Sequence, residues 1–232
     1  MPETAVVAGL GPGFCERLAE RLASDGYDVA VFGRSEEYLE EFAADLRAAG
    51  HDALAVPTDV TDSEQVADGF ERVREALGPV EVLAHTASTA TSPGGEELDP
   101  DRFEEMWRLY AYGGLLCFRE ALDDLRAEGG TALFFGAAPE AGDFAFKSGK
   151  DATRGLARSL ADAYGPEGVH VAHVVVAGSI RNPDVYEGPG EVTEAEHMDP
   201  DAVAETCAHL VGQDRSAWTF ELDLRPHVQG LY

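Results

Sequence analysis

The sequence predicts a single α/β domain over residues 1–232, a doubly wound, mainly parallel sheet of about seven strands with helices on both faces. Three observations carry that expectation. Short apolar runs alternate with amphipathic helical repeats along the chain. A glycine-rich turn, Gly9-Leu10-Gly11-Pro12-Gly13, joins the first apolar run to the first helix. No shift in composition marks a boundary between two domains, and the length suits one large core.

Each element follows from local signals. Ala5 to Gly9 (AVVAG) reads as a buried strand. The helix after the glycine turn carries Leu18, Leu22 and Ala23 at helical spacing and stops at Asp25-Gly26. Asp28 to Phe32 is the second strand, followed by Gly33-Arg34-Ser35. Ser35 is placed to cap a helix through Leu39, Phe42, Ala43 and Leu46 to Gly50. Strand Ala53 to Val56 runs into Pro57-Thr58-Asp59-Val60. Asp62-Ser63 opens a helix with Val66, Phe70, Val73 and Leu77 on one face, stopped by Gly78-Pro79. Val80 to Ala84 is the fourth strand, and Asp99-Pro100 starts a long helix past Phe103, Met106 and Leu109 to Leu125. Ala132 to Phe135 forms a strand expected to break at Gly136. Lys150, Leu156 and Leu160 mark the following helix, which ends near Tyr164-Gly165-Pro166. If that helix already covers Phe146, Phe146 and Lys150 share one face. Val171 to Val176 is the sixth strand, Asp199-Pro200 starts a last helix to Gly212, and Trp218 to Leu224 is the last strand. Between them the acidic segment from Arg181 to Glu196 reads as a short, mobile loop.

The charge balance is unusual. There are 44 acidic and 17 basic residues, a formal net charge of −27 and a pI near 4.4. Only Lys147 and Lys150 are lysines; the other basic residues are arginines. Such a surface repels itself at ordinary ionic strength, whereas at molar salt the Debye length falls to roughly 3 Å and the repulsion is screened. This is the expected pattern of a halophile's cytoplasmic protein. A nucleic-acid partner is disfavoured, because no basic stripe is present to neutralise phosphates. No apolar run reaches membrane-spanning length, and MPETAVVAG shows no signal-peptide pattern, so no membrane partner is expected. Cys15, Cys117 and Cys207 are far apart, without metal-ligand spacing, and read as ordinary thiols of a reducing compartment.

Strand, glycine turn, helix and strand within about 30 residues is the arrangement that sets a phosphate at a helix N-terminus. Glycines let the backbone approach a pyrophosphate, and the helix dipole favours the anion. A cation at Lys150, beside the carboxyl end of a strand, lies where open α/β sheets bind ligands.

These residues resemble the short-chain dehydrogenase/reductases, over essentially the whole chain. Ala8 to Cys15 occupies that family's glycine loop, with Gly9, Gly11, Gly13 and Phe14 as expected cofactor contacts. Asp59-Val60 stands at its adenine-contacting pair and His85-Thr86-Ala87-Ser88 at its Asn-Asn-Ala-Gly motif. Lys150 matches its active-site lysine, and Ala177-Gly178 its Pro-Gly after the sixth strand, with Ile180 a further cofactor contact. The tail AWTFELDLRP resembles an atypical subgroup in which the active-site tyrosine is replaced by phenylalanine. The resemblance implies a Rossmann fold, a nicotinamide cofactor, a small carbonyl or alcohol substrate, and a homodimer or homotetramer formed through the long helix and the Lys150 helix. The second strand ends in Gly33-Arg34 with no acid for a ribose 2′-hydroxyl, and an arginine there accepts a 2′-phosphate, so NADP(H) is preferred over NAD(H). The alternative is an Arg34 paired with Glu36 or Glu37. Against binding, Cys15 stands in place of the loop's third glycine, as a packing residue or as a redox thiol.

The departures fall on the chemistry. The family's tyrosine position is Phe146, its serine falls at Ala137 and its asparagine at Tyr110, leaving only Lys150. General acid/base catalysis contributes about 10²- to 10⁴-fold, so the usual mechanism is not supported. Tyr110 either points its phenol toward Lys150 as a relocated acid or packs its ring between helices. His85 reads as an acid/base group or a structural hydrogen-bonder, Ser148 as a helix-start cap, and Lys150 as a cofactor contact or a cation at a tolerant helix start. Two readings stay open: an NADP(H)-linked oxidoreductase with a displaced proton source, and a non-catalytic nucleotide-binding or scaffold protein.

Overall fold

A computed structural model describes residues 3–89, 98–137, 144–181 and 194–230. In chain order the strands are β1 (Thr4–Ala8), β2 (Asp28–Gly33), β3 (Ala53–Pro57), β4 (Val80–His85), β5 (Thr131–Ala137), β6 (His170–Val176), β7 (Ser179–Ile180), β8 (His197–Met198) and β9 (Glu221–Leu224). Seven of them form one parallel sheet in the order β3-β2-β1-β4-β5-β6-β9. β7 and β8 pair separately. The central strands are Val- and Ala-rich and all five residues of β1 are buried, as a sheet covered on both faces requires.

The covering helices are α1 (Phe14–Ser24), α2 (Glu36–Ala48), α3 (Ser63–Ala76), α4 (Pro100–Trp107), α5 (Gly113–Glu128), α6 (Phe144–Tyr164) and α7 (Pro200–Val211). Leu18, Leu22, Leu39, Phe42, Val203 and Leu210 of α1, α2 and α7 bury one face of the sheet. Val66, Phe70, Leu116, Phe118 and Leu160 of α3, α5 and α6 bury the other. The sheet is therefore doubly wound, and its strand order reverses between β1 and β4. Asp62, Asp99 and Asp199 cap α3, α4 and α7 by accepting backbone N–H bonds. Ser35 stands at the N-cap of α2 but makes no side-chain cap bond.

Four elements differ from the sequence expectation. β5 does not break at Gly136 but runs on to Ala137, because Gly136 is there for clearance: a Cβ would lie 2.5 Å from Nε2 of His173 on β6. The long helix is interrupted by a π-helical turn, Arg108–Tyr112, between α4 and α5. The last strand starts at Glu221, because the Gln213 side chain takes up the Thr219 N–H at 2.7 Å and holds that stretch off the ladder. Ser148 lies inside α6 and is not its cap. Most of the acidic segment between Arg181 and Glu196 falls outside the described residues.

Candidate functional site

Two cavities open at the carboxyl ends of the central strands, and both are lined by Cys15, Thr86 and Ser88. The smaller, of about 440 Å³, lies along the glycine turn; Gly9, Gly11, Arg34, Asp59, Val60 and Ala87 all line it. The larger, of about 490 Å³, holds Lys150, Phe146, Ala137 and Phe14. Residues spread over more than a hundred positions thus form the walls of one crevice at the strand-order reversal.

The first cavity is built by close backbone approach. Gly9 has φ +111°, and a Cβ there would lie 2.3 Å from the Ala87 backbone. The N–H groups of Gly9 and Leu10 both reach the Phe32 carbonyl, at 3.0 and 2.7 Å. Gly13, with φ 90°, is the N-cap of α1, whose first turn faces the cleft. Its N–H is taken by the Glu16 carboxylate at 2.8 Å, and Glu16 also accepts from the Tyr38 hydroxyl at 2.6 Å. Arg34 is exposed and makes no ion pair among the described residues, so the alternative of a pairing with Glu36 or Glu37 is absent there. Asp59 turns one carboxylate oxygen back to the N–H and hydroxyl of Thr61, at 2.9 and 2.8 Å. A glycine cradle without room for a Cβ, a helix N-terminus and an unpaired guanidinium together fit a dinucleotide. Cys15 is accommodated half-buried beside them.

The second cavity is apolar around a single ammonium. α6 begins at Phe144, so Phe146 and Lys150 share its inner face. Lys150 is 8 % exposed; its Nζ donates to the Phe135 carbonyl at 3.2 Å and lies over the Tyr110 ring, 4.1 Å from the centroid. Phe146, 8 % exposed, meets Tyr110 edge to face at 5.6 Å. Gly149 makes the close approach possible, since a Cβ there would lie 2.6 Å from the Tyr110 ring. Tyr110 is fully buried, presents its ring to the ammonium, and accepts from the Thr89 N–H through its hydroxyl at 3.4 Å. Burial lowers the Lys150 pKa to about 8, opposed by its attraction to Cys15. Burial also raises the Cys15 thiol above its ordinary value, against hydrogen bonding with Thr86 and Gly11 and the nearby Lys150 charge. Such a thiol is less reactive, not more.

His85 ends β4 and is buried, with its pKa pushed down to about 3, chiefly by burial and then by Lys150. It is a neutral ring at neutral pH, and its Nε2 has no hydrogen-bond partner among the described residues. Ile180 lines neither cavity and packs against the core on the α1 side. Ser179 and Gln229 line the Lys150 cavity and were not anticipated. Gln229 arrives through the turn Pro226–Gln229, closed by a 3.0 Å backbone bond, and nothing in the local sequence signals where that turn packs. Among the described residues no metal-binding group of His, Cys, Asp or Glu occurs, and no helix is long and apolar enough to cross a membrane.

Comparison with known proteins agrees with this geometry. The short chain dehydrogenase family model matches residues 3–184. A cis-4-hydroxycyclohexanecarboxylate dehydrogenase of Sinomonas cyclohexanicum is 32 % identical over 226 residues, covering 91 % of this chain and 90 % of that protein. The crystal structure of an alcohol dehydrogenase from the archaeon Thermococcus sibiricus, complexed with 5-hydroxy-NADP, superposes with a TM-score of 0.85 at 28 % identity, covering 99 % of both chains. A short-chain dehydrogenase from Rhodopseudomonas palustris gives 0.80 at 28 % identity, covering 97 % of this chain and 99 % of that one. With the glycine turn, the reversal-point crevice and the buried lysine all in place, the chain belongs to the short-chain dehydrogenase family of oxidoreductases.

Proposed function

We propose that the protein binds NADP(H) across the two joined cavities and acts as an oxidoreductase on a small carbonyl or alcohol, without the family's usual acid/base residues. The observation that carries this reading is the continuity at Cys15, Thr86 and Ser88 between the glycine-turn cavity and the Lys150 cavity. When bound, the nicotinamide supplies or accepts the hydride. The glycine turn and α1 N-terminus would hold the pyrophosphate, Arg34 the 2′-phosphate, Asp59 and Val60 the adenine end, and Lys150 the ribose hydroxyls. Phe14, Phe135 and Phe146 exclude water from the reacting end. Phe146 and Ala137 have no proton to give. The ammonium of Lys150, with its lowered pKa, is the positively charged group lining that cavity from which a proton can reach the reacting oxygen, directly or through water.

A second reading has its own support. A buried phenylalanine and an alanine where family members carry their tyrosine and serine suit a nucleotide-binding or scaffold protein that has lost turnover. Exposed Phe103, Trp107, Leu115 and Phe144 on α4, α5 and α6 support self-association through those helices. Titration of NADPH fluorescence at molar KCl tests both readings. Absence of binding removes the oxidoreductase reading, and binding without turnover on a panel of carbonyls favours the second.

A further inference from the structure

Lys150 combines three properties that a proton relay or ribose contact does not require together. It is an amine buried at the wall of a cavity of about 490 Å³. No carboxylate among the described residues pairs with it; its contacts are a backbone carbonyl and two aromatic rings. The cavity beside it is lined by Phe14, Phe135 and Phe146, so an aromatic or aliphatic group entering it would be desolvated against those rings. An amine in such surroundings is the arrangement that activates lysine as a nucleophile toward carbonyl carbon.

We propose that, with the dinucleotide site empty, Lys150 is a covalent capture site for small aldehydes, aromatic ones foremost, through a reversible imine. The ammonium first gives up a proton to water. The amine nitrogen then adds to the carbonyl carbon, the carbonyl π pair moves to the oxygen, and one proton passes from nitrogen to that oxygen to give a carbinolamine. The nitrogen lone pair then forms a second bond to carbon as the C–O pair leaves with the hydroxyl, which takes the remaining nitrogen proton and departs as water, giving the imine; water reverses the sequence. No oxidant or reductant is consumed. The lowered pKa supports the step, because the free-amine fraction at neutral pH rises about tenfold for each unit of lowering.

The chain suits a clean test, since Lys147 is its only other lysine, three positions away on the same helix. Wild-type protein at molar KCl is incubated with benzaldehyde and cyanoborohydride, which reduces the imine to a stable secondary amine, and the modified residue is located by peptide mass spectrometry. The expected result is modification of Lys150 at least about tenfold faster than Lys147, with a rate that levels off near pH 8. Lys150→Arg should abolish that adduct with the fold retained by circular dichroism, and Lys147→Arg should leave it unchanged. Equal rates at the two lysines, or an unmodified Lys150, would overturn the proposal. Added NADPH should protect Lys150 selectively. Failure to protect, with Lys150 still preferentially modified, counts against the dinucleotide reading and leaves the capture site standing.

Discussion

The Lys150 ammonium lies 4.1 Å above the centre of the Tyr110 ring, in a pocket where the described residues place no carboxylate against it. The ring face offers partial negative charge, worth up to about 2 kcal/mol when desolvated. Burial costs more, since the net effect is a pKa lowered from 10.5 to about 8. Below pH 8 both folded and unfolded chains carry the proton, and the cost is felt in full. Between about 8 and 10.5 the folded chain has lost it while the unfolded chain keeps it, so stability should rise with pH across that window. The shift corresponds to roughly 3 kcal/mol. Lys150→Met should therefore raise the denaturation midpoint at pH 7 and flatten this pH dependence while weakening dinucleotide binding. A lower midpoint in the Met variant would mean that the ring and carbonyl contacts outweigh desolvation.

Phe146→Tyr returns a phenol to the face it shares with Lys150. Carbonyl reduction with NADPH should appear or rise by about 10²-fold, the lower end of what one acid/base group contributes. The assay is NADPH consumption over a carbonyl panel. No change would show that the hydroxyl missing at Ala137 is also required, and the Phe146→Tyr, Ala137→Ser pair would then recover activity.

Tyr110→Phe keeps the ring against the ammonium and loses only the hydroxyl that Thr89 bonds at 3.4 Å. Stability should change by less than about 1 kcal/mol, and activity should stay within a few-fold. Tyr110→Ala should cost about 3–5 kcal/mol, because a fully buried ring is removed. A collapse of activity in Tyr110→Phe alone would instead identify its phenol as the proton source.

If Arg34 holds a 2′-phosphate as proposed, Arg34→Asp should exchange that preference for a 2′-hydroxyl. Fluorescence titration should show NADPH affinity falling by at least about tenfold, the loss of one charge-assisted bond, while NADH affinity holds or rises. Equal losses for both would place the 2′ position elsewhere.

The net charge of −27 predicts a thermal midpoint that climbs with KCl into the molar range. A scan from low to molar KCl checks this, and a midpoint indifferent to salt would contradict a halophile's protein.

Much of the fold was legible because its signals are local. Gly9 and Gly13 mark a turn that needs positive φ, and Asp62, Asp99 and Asp199 cap the helices they precede. The glycine-turn wall was legible too: Gly9, Gly11, Arg34, Asp59, Val60 and Ala87 meet at one cavity. Long-range packing was not. Gly136 looked like a strand breaker until His173, 37 positions on, was found against it. Gln229 enters the Lys150 cavity, and Ile180 stays out of both, through packing that no spacing rule encodes. The orientation of Tyr110 depends equally on a tertiary contact, the close approach at Gly149.

The π-helical turn at Arg108–Tyr112 constrains how this stretch can change in length. A π-helical turn takes up one residue more than an α-helical one, so removing one residue there would leave a regular α-helix with α5 facing as it does now. Leu116, Cys117 and Phe118 would keep their inward positions. Adding a residue would instead swing everything after it by about 100° around the axis, unless a deletion before α5 compensates.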